Sequence, residues 1–206
     1  MKIFLFGGAE KGQATNLLKL IDQTIQKINF DQFLHIPFAR TTTSDLEWQG
    51  DWFNRNIKIN KEKYLNAENK DDVEKAISPL IFISGGSKSE NLLKKLKSDP
   101  KLLKLVLNAQ YIIAESAGAK ILASKCRLTD DSGGNKITDG LDIIKNTIIE
   151  PHYSNKKRQK LLEEEMIQTN SQYGLGIDSE TCLEIDTDTF PRDCTIFGNG
   201  TVEIKS

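Results

Sequence analysis

Three cysteines, two histidines and no apolar run longer than four residues say first what this chain of 206 residues is not. Cys126, Cys182 and Cys194 are odd in number and scattered, so they supply neither a disulfide framework nor the paired spacing of a metal site. Reduced thiols in a cytoplasmic protein are the expectation. No stretch approaches the length that crosses a bilayer. The opening M-K-I-F-L-F-G-G stops at Gly7-Gly8, short of the apolar core of an export signal. Charge of one sign is missing as well. With 28 Lys and Arg against 29 Asp and Glu, the formal net charge is −1, which removes the electrostatic case for nucleic acid or an acidic membrane surface. Repeats, linkers and low-complexity segments are absent too. What remains is enough apolar sequence to bury one sizeable core, and a single domain over residues 1–206 is expected.

Apolar strands alternate with amphipathic helices through the first 125 residues. Strands are expected at 2–6, 33–38, near Tyr64, at 80–83 and at 111–114. Helices are expected at 13–28, from Ser44 to about Asn56, at 71–77, after Gly85-Gly86 to about 97, and at 100–108. That alternation predicts an α/β fold of three layers, a mostly parallel sheet covered by helices on both faces. Beyond the loop Asp130–Asn135 the pattern changes. A strand at 147–150 and a helix at 155–168 precede strands at 174–178, 182–185, 195–197 and 202–204. These last read as C-terminal antiparallel hairpins with a turn at Asn199-Gly200.

The chemistry concentrates in Y-I-I-A-E-S-A-G-A-K-I-L, residues 111–122. A buried strand runs into a helix through one hydroxyl, Ser116, with small residues Ala114 and Gly118 two positions to either side. A serine on so sharp a turn can point its oxygen outward only if its neighbours do not collide across the turn, the arrangement of a nucleophile elbow. A serine hydroxyl needs a base. His35, inside the strand F-L-H-I-P-F, reads as a satisfied core histidine, whereas His152, in E-P-H-Y directly after an apolar run, reads as the base. A carboxylate must hold the imidazole in one tautomer, and Asp130, Asp131, Asp178 and Glu180 stand equally open. Gly85-Gly86 ends a strand before a helix, so its amides, with that of Ala117, form a candidate oxyanion hole. Lys156, Lys157 and Arg158 follow His152 and are the nearest cations for an acidic substrate group. Gly7-Gly8 lacks the lysine and spacing of a phosphate loop. Neither a cofactor nor a metal is expected.

Four segments in order, S-G-G-S-K-S-E-N-L-L, A-E-S-A-G-A, E-P-H-Y and G-L-G-I-D-S-E-T-C-L, resemble the signatures of the serine peptidases that include aspartyl dipeptidase (peptidase E) and cyanophycinase. The resemblance spans residues 1 to about 186. It implies a flavodoxin-like fold related to class I glutamine amidotransferases, with Ser116 as nucleophile, His152 as base, and Gly86 with Ala117 as oxyanion donors. It also implies Asp131, fifteen residues past the serine, as the acid, with Asp130 as the near alternative. Four positions depart from the family pattern: Ala114 for glycine, Glu115 for a small or aromatic residue, Ser87 for asparagine, and Asp178-Ser179 for Asp-Glu. Two readings follow. One is a monomeric or homodimeric serine peptidase acting on small peptides, with cleavage after an acidic residue as its specificity. The other is a silent or repurposed relative that binds a small molecule or partner in the same cleft.

Overall fold

The computed structural model describes residues 1–10, 14–40, 57–129 and 133–206. Its centre is β1 (Lys2–Phe6), a strand apolar on both faces because both are covered. Ile3 and Leu5 point into one core with Ile81, Ile83, Ile112 and Ala114. Phe4 and Phe6 point into the other with Phe33, Phe82 and Ile113. Helix α1 (Ala14–Ile25) seals the second core by burying Leu17, Leu18, Ile21 and Ile25, one stripe at helical spacing. Helices α3 (Ser89–Ser98) and α4 (Pro100–Leu107) seal the first with Leu92, Leu96, Leu102 and Val106. Asp99 caps α4 by accepting from the Lys101 and Leu102 amides, and Pro100 at the first turn loses no helical bond.

Strands β2 (Phe33–Ile36), β3 (Tyr64–Asn66), β4 (Leu80–Ile83), β5 (Tyr111–Glu115), β10 (Thr181–Asp186) and β11 (Cys194–Gly198) complete a seven-stranded sheet ordered β11-β10-β1-β5-β4-β2-β3. Neighbours from β1 to β3 pair in parallel, and β10 and β11 pair antiparallel. A short helix α2 (Lys70–Lys75) lies between β3 and β4 in sequence. A second sheet of five strands is ordered β12-β9-β8-β6-β7. It comprises β6 (Ala123–Thr129), β7 (Asn135–Asp139), β8 (Ile144–Pro151), β9 (Tyr173–Ile177) and β12 (Val202–Lys205). The wholly buried helix α5 (Ala117–Leu122) connects the sheets, since it follows β5 and runs directly into β6. Helix α6 (Gln159–Thr169) packs Leu162 against Ile148 and Tyr153. The α/β fold is therefore as expected, with mixed parallel and antiparallel strands.

Two features differ from the sequence reading, the unexpected strands β6 and β7 and the last turn. Strand β6, A-S-K-C-R-L-T, buries Ala123, Cys126 and Leu128, while Lys125 and Arg127 between them hide its apolar signal. The turn at Asn199-Gly200 does not close a hairpin; it moves the chain from the first sheet at β11 to the second at β12. The Asp178 carboxylate draws it there by accepting from the Thr201 amide at 2.9 Å and hydroxyl at 2.8 Å. The helix expected from Ser44 to Asn56 lies outside the described residues.

His35 is 2 % exposed and satisfied on both ring nitrogens, by the Tyr64 hydroxyl at 2.9 Å and the Ser84 hydroxyl at 3.2 Å. Burial, with the Arg40 charge adding to it, pushes its pKa down to about 3. Below pH 6.5 the unfolded chain therefore binds a proton that the folded chain refuses, and stability falls as pH drops from 6.5 toward 3. Urea unfolding from pH 6.5 to 4 should show wild type losing up to about 1.4 kcal/mol per pH unit more than His35→Gln. Parallel pH dependences would contradict this.

Candidate active site

Ser116 links β5 to α5 with φ +49° and ψ −104°, a conformation that a residue with a side chain adopts only when its surroundings enforce it. Gly118 permits the fold to enforce it. A Cβ there would lie 2.4 Å from the Ile83 carbonyl oxygen, so only glycine lets α5 approach β4 so closely. Ser116 occupies the N-cap position of α5, yet its hydroxyl caps nothing. It is free to face His152, and Oγ lies 3.1 Å from His152 Nε2.

The loop after β1 positions both residues. The Phe6 carbonyl accepts from the Ser116 amide at 2.9 Å, the Gly7 carbonyl from the His152 amide at 3.0 Å, and the Gly8 carbonyl from the Glu180 amide at 2.7 Å. All three donors have positive φ, +49°, +53° and +57°. Gly8, at φ +90°, passes between the two side chains, where a Cβ would sit 2.6 Å from His152 Nε2 and 3.1 Å from Ser116 Cβ. Glycine is required here on both counts.

On its other side the His152 ring meets Glu10 Oε1 at 2.9 Å and the Ser179 hydroxyl at 3.0 Å, both through Nδ1. Burial, with Lys156 adding to it, lowers the His152 pKa, although the Glu10 carboxylate works in the opposite direction. The imidazole is thus neutral near pH 7 and able to accept a proton. Of the four acids weighed from sequence, Asp130 and Asp131 lie outside the described residues. Asp178 is occupied by Thr201 and by the Ser154 amide at 2.8 Å. Glu180, in the turn between β9 and β10, directs its carboxylate away to Asn16 and Asn199. Glu10 was not among the candidates. The signal for it was positional: β1 and β5 are parallel neighbours, so their carboxyl ends share an edge, and polar residues just past either end converge.

Gly85, Gly86 and Ala117 all border Ser116 in one cavity of about 430 Å³. Their amides are not equivalent. The Gly85 N–H donates to Glu115 Oε2 at 2.9 Å, and that carboxylate also lies 3.7 Å from Arg40. The Gly86 and Ala117 amides have no acceptor among the described residues. Lys120, Lys156 and Arg158 line the cavity together with Arg40 and Glu115, whereas Lys157 does not.

Beneath them lies a buried ion cluster. Glu150 is paired with Lys120 at 3.0 Å, Arg127 at 2.7 Å and Arg158 at 2.8 Å, and Arg127 also meets Glu165 at 2.6 Å. Burial opposes charge on Glu150, but the three cations outweigh it and lower its pKa. Glu165, by contrast, is pushed up to about 7 by burial and by Glu150. Three cations thus face one full and one partial negative charge, which leaves a positive excess at the cavity floor. Among the described residues, no His, Cys, Asp and Glu side chains group so as to hold a metal ion.

The sequence model of peptidase family S51 matches residues 3–192. No curated protein matches the chain. Among solved structures, a peptidase from an acI-B1 Actinobacterium is similar over 98 % of this chain and 89 % of its own, with a TM-score of 0.65 at 20 % identity. A putative peptidase E protein from Listeria monocytogenes EGD-e is similar over 97 % of this chain and 98 % of its own, with a TM-score of 0.60 at 18 % identity. At such identities these likenesses establish the fold.

The Gly8 contact yields a direct test. Gly8→Ala should displace the His152 ring from Ser116 and slow reaction with a fluorophosphonate by about two orders of magnitude, the usual result of misplacing a reacting group by an ångström. An unchanged rate in the folded variant would show that the contact has no functional consequence.

Proposed function

The chain belongs to peptidase family S51 and is a serine peptidase, and on that premise we propose that it hydrolyses short peptides with Ser116 as nucleophile and His152 as general base. The observation that carries this reading is the 3.1 Å approach of Ser116 Oγ to His152 Nε2 at a strained elbow, beside two unpaired amides. His152 takes the hydroxyl proton as Oγ attacks the scissile carbonyl carbon. The resulting oxyanion sits between the Gly86 and Ala117 amides, which are free to donate to it. Gly85 contributes through its shape, because its own amide is held by Glu115. The imidazolium then returns the proton to the leaving amine, and water enters by the same route to release the acyl group.

The charges around the cavity support a substrate carrying both signs. An acidic side chain next to the scissile bond fits the positive excess at Lys120, Lys156 and Arg158. Arg158 is the best placed, since Glu150 and the Pro151 carbonyl, both at 2.8 Å, fix its guanidinium in advance. Glu115 offers a carboxylate to a free N-terminal ammonium, and Arg40 moderates its repulsion of the anionic intermediate. An Asp-Xaa dipeptide satisfies both requirements.

A panel of Asp-Xaa and isoaspartyl dipeptides, their N-acetylated forms and Leu-Xaa controls tests the substrate. Free Asp-Xaa should be cleaved best, acetylation should suppress cleavage, and Arg158→Gln should raise KM for Asp-Xaa about tenfold or more. Equal cleavage of Leu-Xaa and Asp-Xaa would overturn the specificity while leaving the peptidase reading intact. Ser116→Ala and His152→Ala should each cost about 10⁴-fold or more in kcat/KM. The pH profile tests the base. Since the pKa of His152 is lowered and only its neutral form accepts a proton, kcat/KM should fall on acidification with a midpoint below pH 6.5. A midpoint above 6.5 would exclude His152 as the base in the environment described.

A further inference from the structure

A general base needs a partner on its far nitrogen, and the acid that the family resemblance assigns, Asp131, follows β6 in the sequence and lies outside the described residues. The geometry points to a different residue: we infer that Glu10, on the loop after β1, is the carboxylate that positions His152, with the Ser179 hydroxyl as its brace. The inference rests on His152 serving as the base of Ser116.

Three atoms form a closed triangle. His152 Nδ1 is 2.9 Å from Glu10 Oε1 and 3.0 Å from Ser179 Oγ, and Ser179 Oγ is 2.9 Å from the same Glu10 oxygen. A carboxylate only accepts, so the Ser179 hydroxyl donates to it and presents its own lone pairs to the ring. Both neighbours of Nδ1 are then acceptors, and the proton of the neutral imidazole belongs on Nδ1. Nε2 is left as a lone pair aimed at Ser116, the tautomer that deprotonation of the serine requires.

The triangle is built to stay in place. Ser179 is buried, and its amide donates to Asn155 Oδ1 at 2.9 Å. The loop carrying Glu10 is tied to the same turn through the bond from the Glu180 amide to the Gly8 carbonyl. Burial disfavours charge on Glu10, but the hydrogen bonds from Ser179 and His152 outweigh it and hold the carboxyl below its ordinary range. It is therefore ionised near neutral pH. The Glu10 side chain keeps about a third of its surface exposed (34 %), so solvent weakens its charge at the ring.

The experiment is an imidazole ¹H–¹⁵N titration of the full chain as wild type, Glu10→Gln, Ser179→Ala and Asp131→Asn. With two histidines in the sequence, His35→Gln assigns the remaining signal. Wild type should show His152 protonated on Nδ1. Glu10→Gln should lower the His152 pKa, because a charge that favours imidazolium is gone. Ser179→Ala should leave the charge but loosen the tautomer preference, and Asp131→Asn should change neither. In the hydrolysis assay Glu10→Gln should lose roughly 10- to 100-fold in kcat, less than removal of a fully buried triad acid costs. Its acid limb should move to lower pH, a shift that mere structural damage would not produce. An unmoved His152 pKa in Glu10→Gln, or a larger shift in Asp131→Asn, would overturn the inference. The titration reads Glu10 even if Ser116 proves inert, so the two readings fail separately.

Discussion

Three successive carbonyl oxygens at the end of β1 hold the site together. Phe6, Gly7 and Gly8 accept, in turn, the amides of Ser116, His152 and Glu180, which come from the ends of β5, β8 and β9. Each donor is held in a left-handed conformation that costs on the order of 1 kcal/mol or more for a residue with a side chain. Such strain persists only where surrounding bonds determine it, and here one short loop determines all three. The two sheets are joined at the same place, since β1 and β5 belong to the first and β8 and β9 to the second. The proposed nucleophile and its proposed base are thus contributed by different sheets and meet across a glycine that leaves room for their contact.

The second constraint is electrostatic. Glu150 sits at the inner edge of β8, two residues before His152, fully buried among Lys120, Arg127 and Arg158. Breaking such a cluster by removing one partner leaves an uncompensated buried charge, so these residues bind the second sheet to α5 and to the start of α6. The same cluster presents Lys120 and Arg158 to the cavity, and its positive excess is reinforced when Glu165 takes up a proton near neutrality. Arg127 is the hidden member. It was unreadable as a member of the cluster because it lies on β6, a strand whose charged positions conceal it.

Much of the site was legible because it is encoded locally. The elbow follows from small residues around Ser116, and His152 follows from an apolar run ending at a proline. Their meeting follows from the rule that carboxyl ends of parallel strands share an edge. What was illegible depends on contacts between segments remote in sequence. Glu10 and Ser179 are separated by 169 positions and meet through a single oxygen. The claim of Glu115 on the Gly85 amide spans 30 positions, and nothing in the motif A-E-S-A-G-A says where that side chain turns. The turn at Asn199-Gly200 read as a hairpin because its local chemistry is that of one. A distant carboxylate, Asp178, sends it to another sheet instead.

The central claim is that the hydroxyl held at the elbow is the one nucleophile of this chain, and peptide mapping of a covalent adduct tests it most directly. After treatment of the folded protein with a fluorophosphonate, tandem mass spectrometry should place a single adduct on Ser116. The adduct should be absent from Ser116→Ala and form far more slowly in His152→Ala. An adduct on another serine, with Ser116 unmodified in a folded sample, would contradict the account.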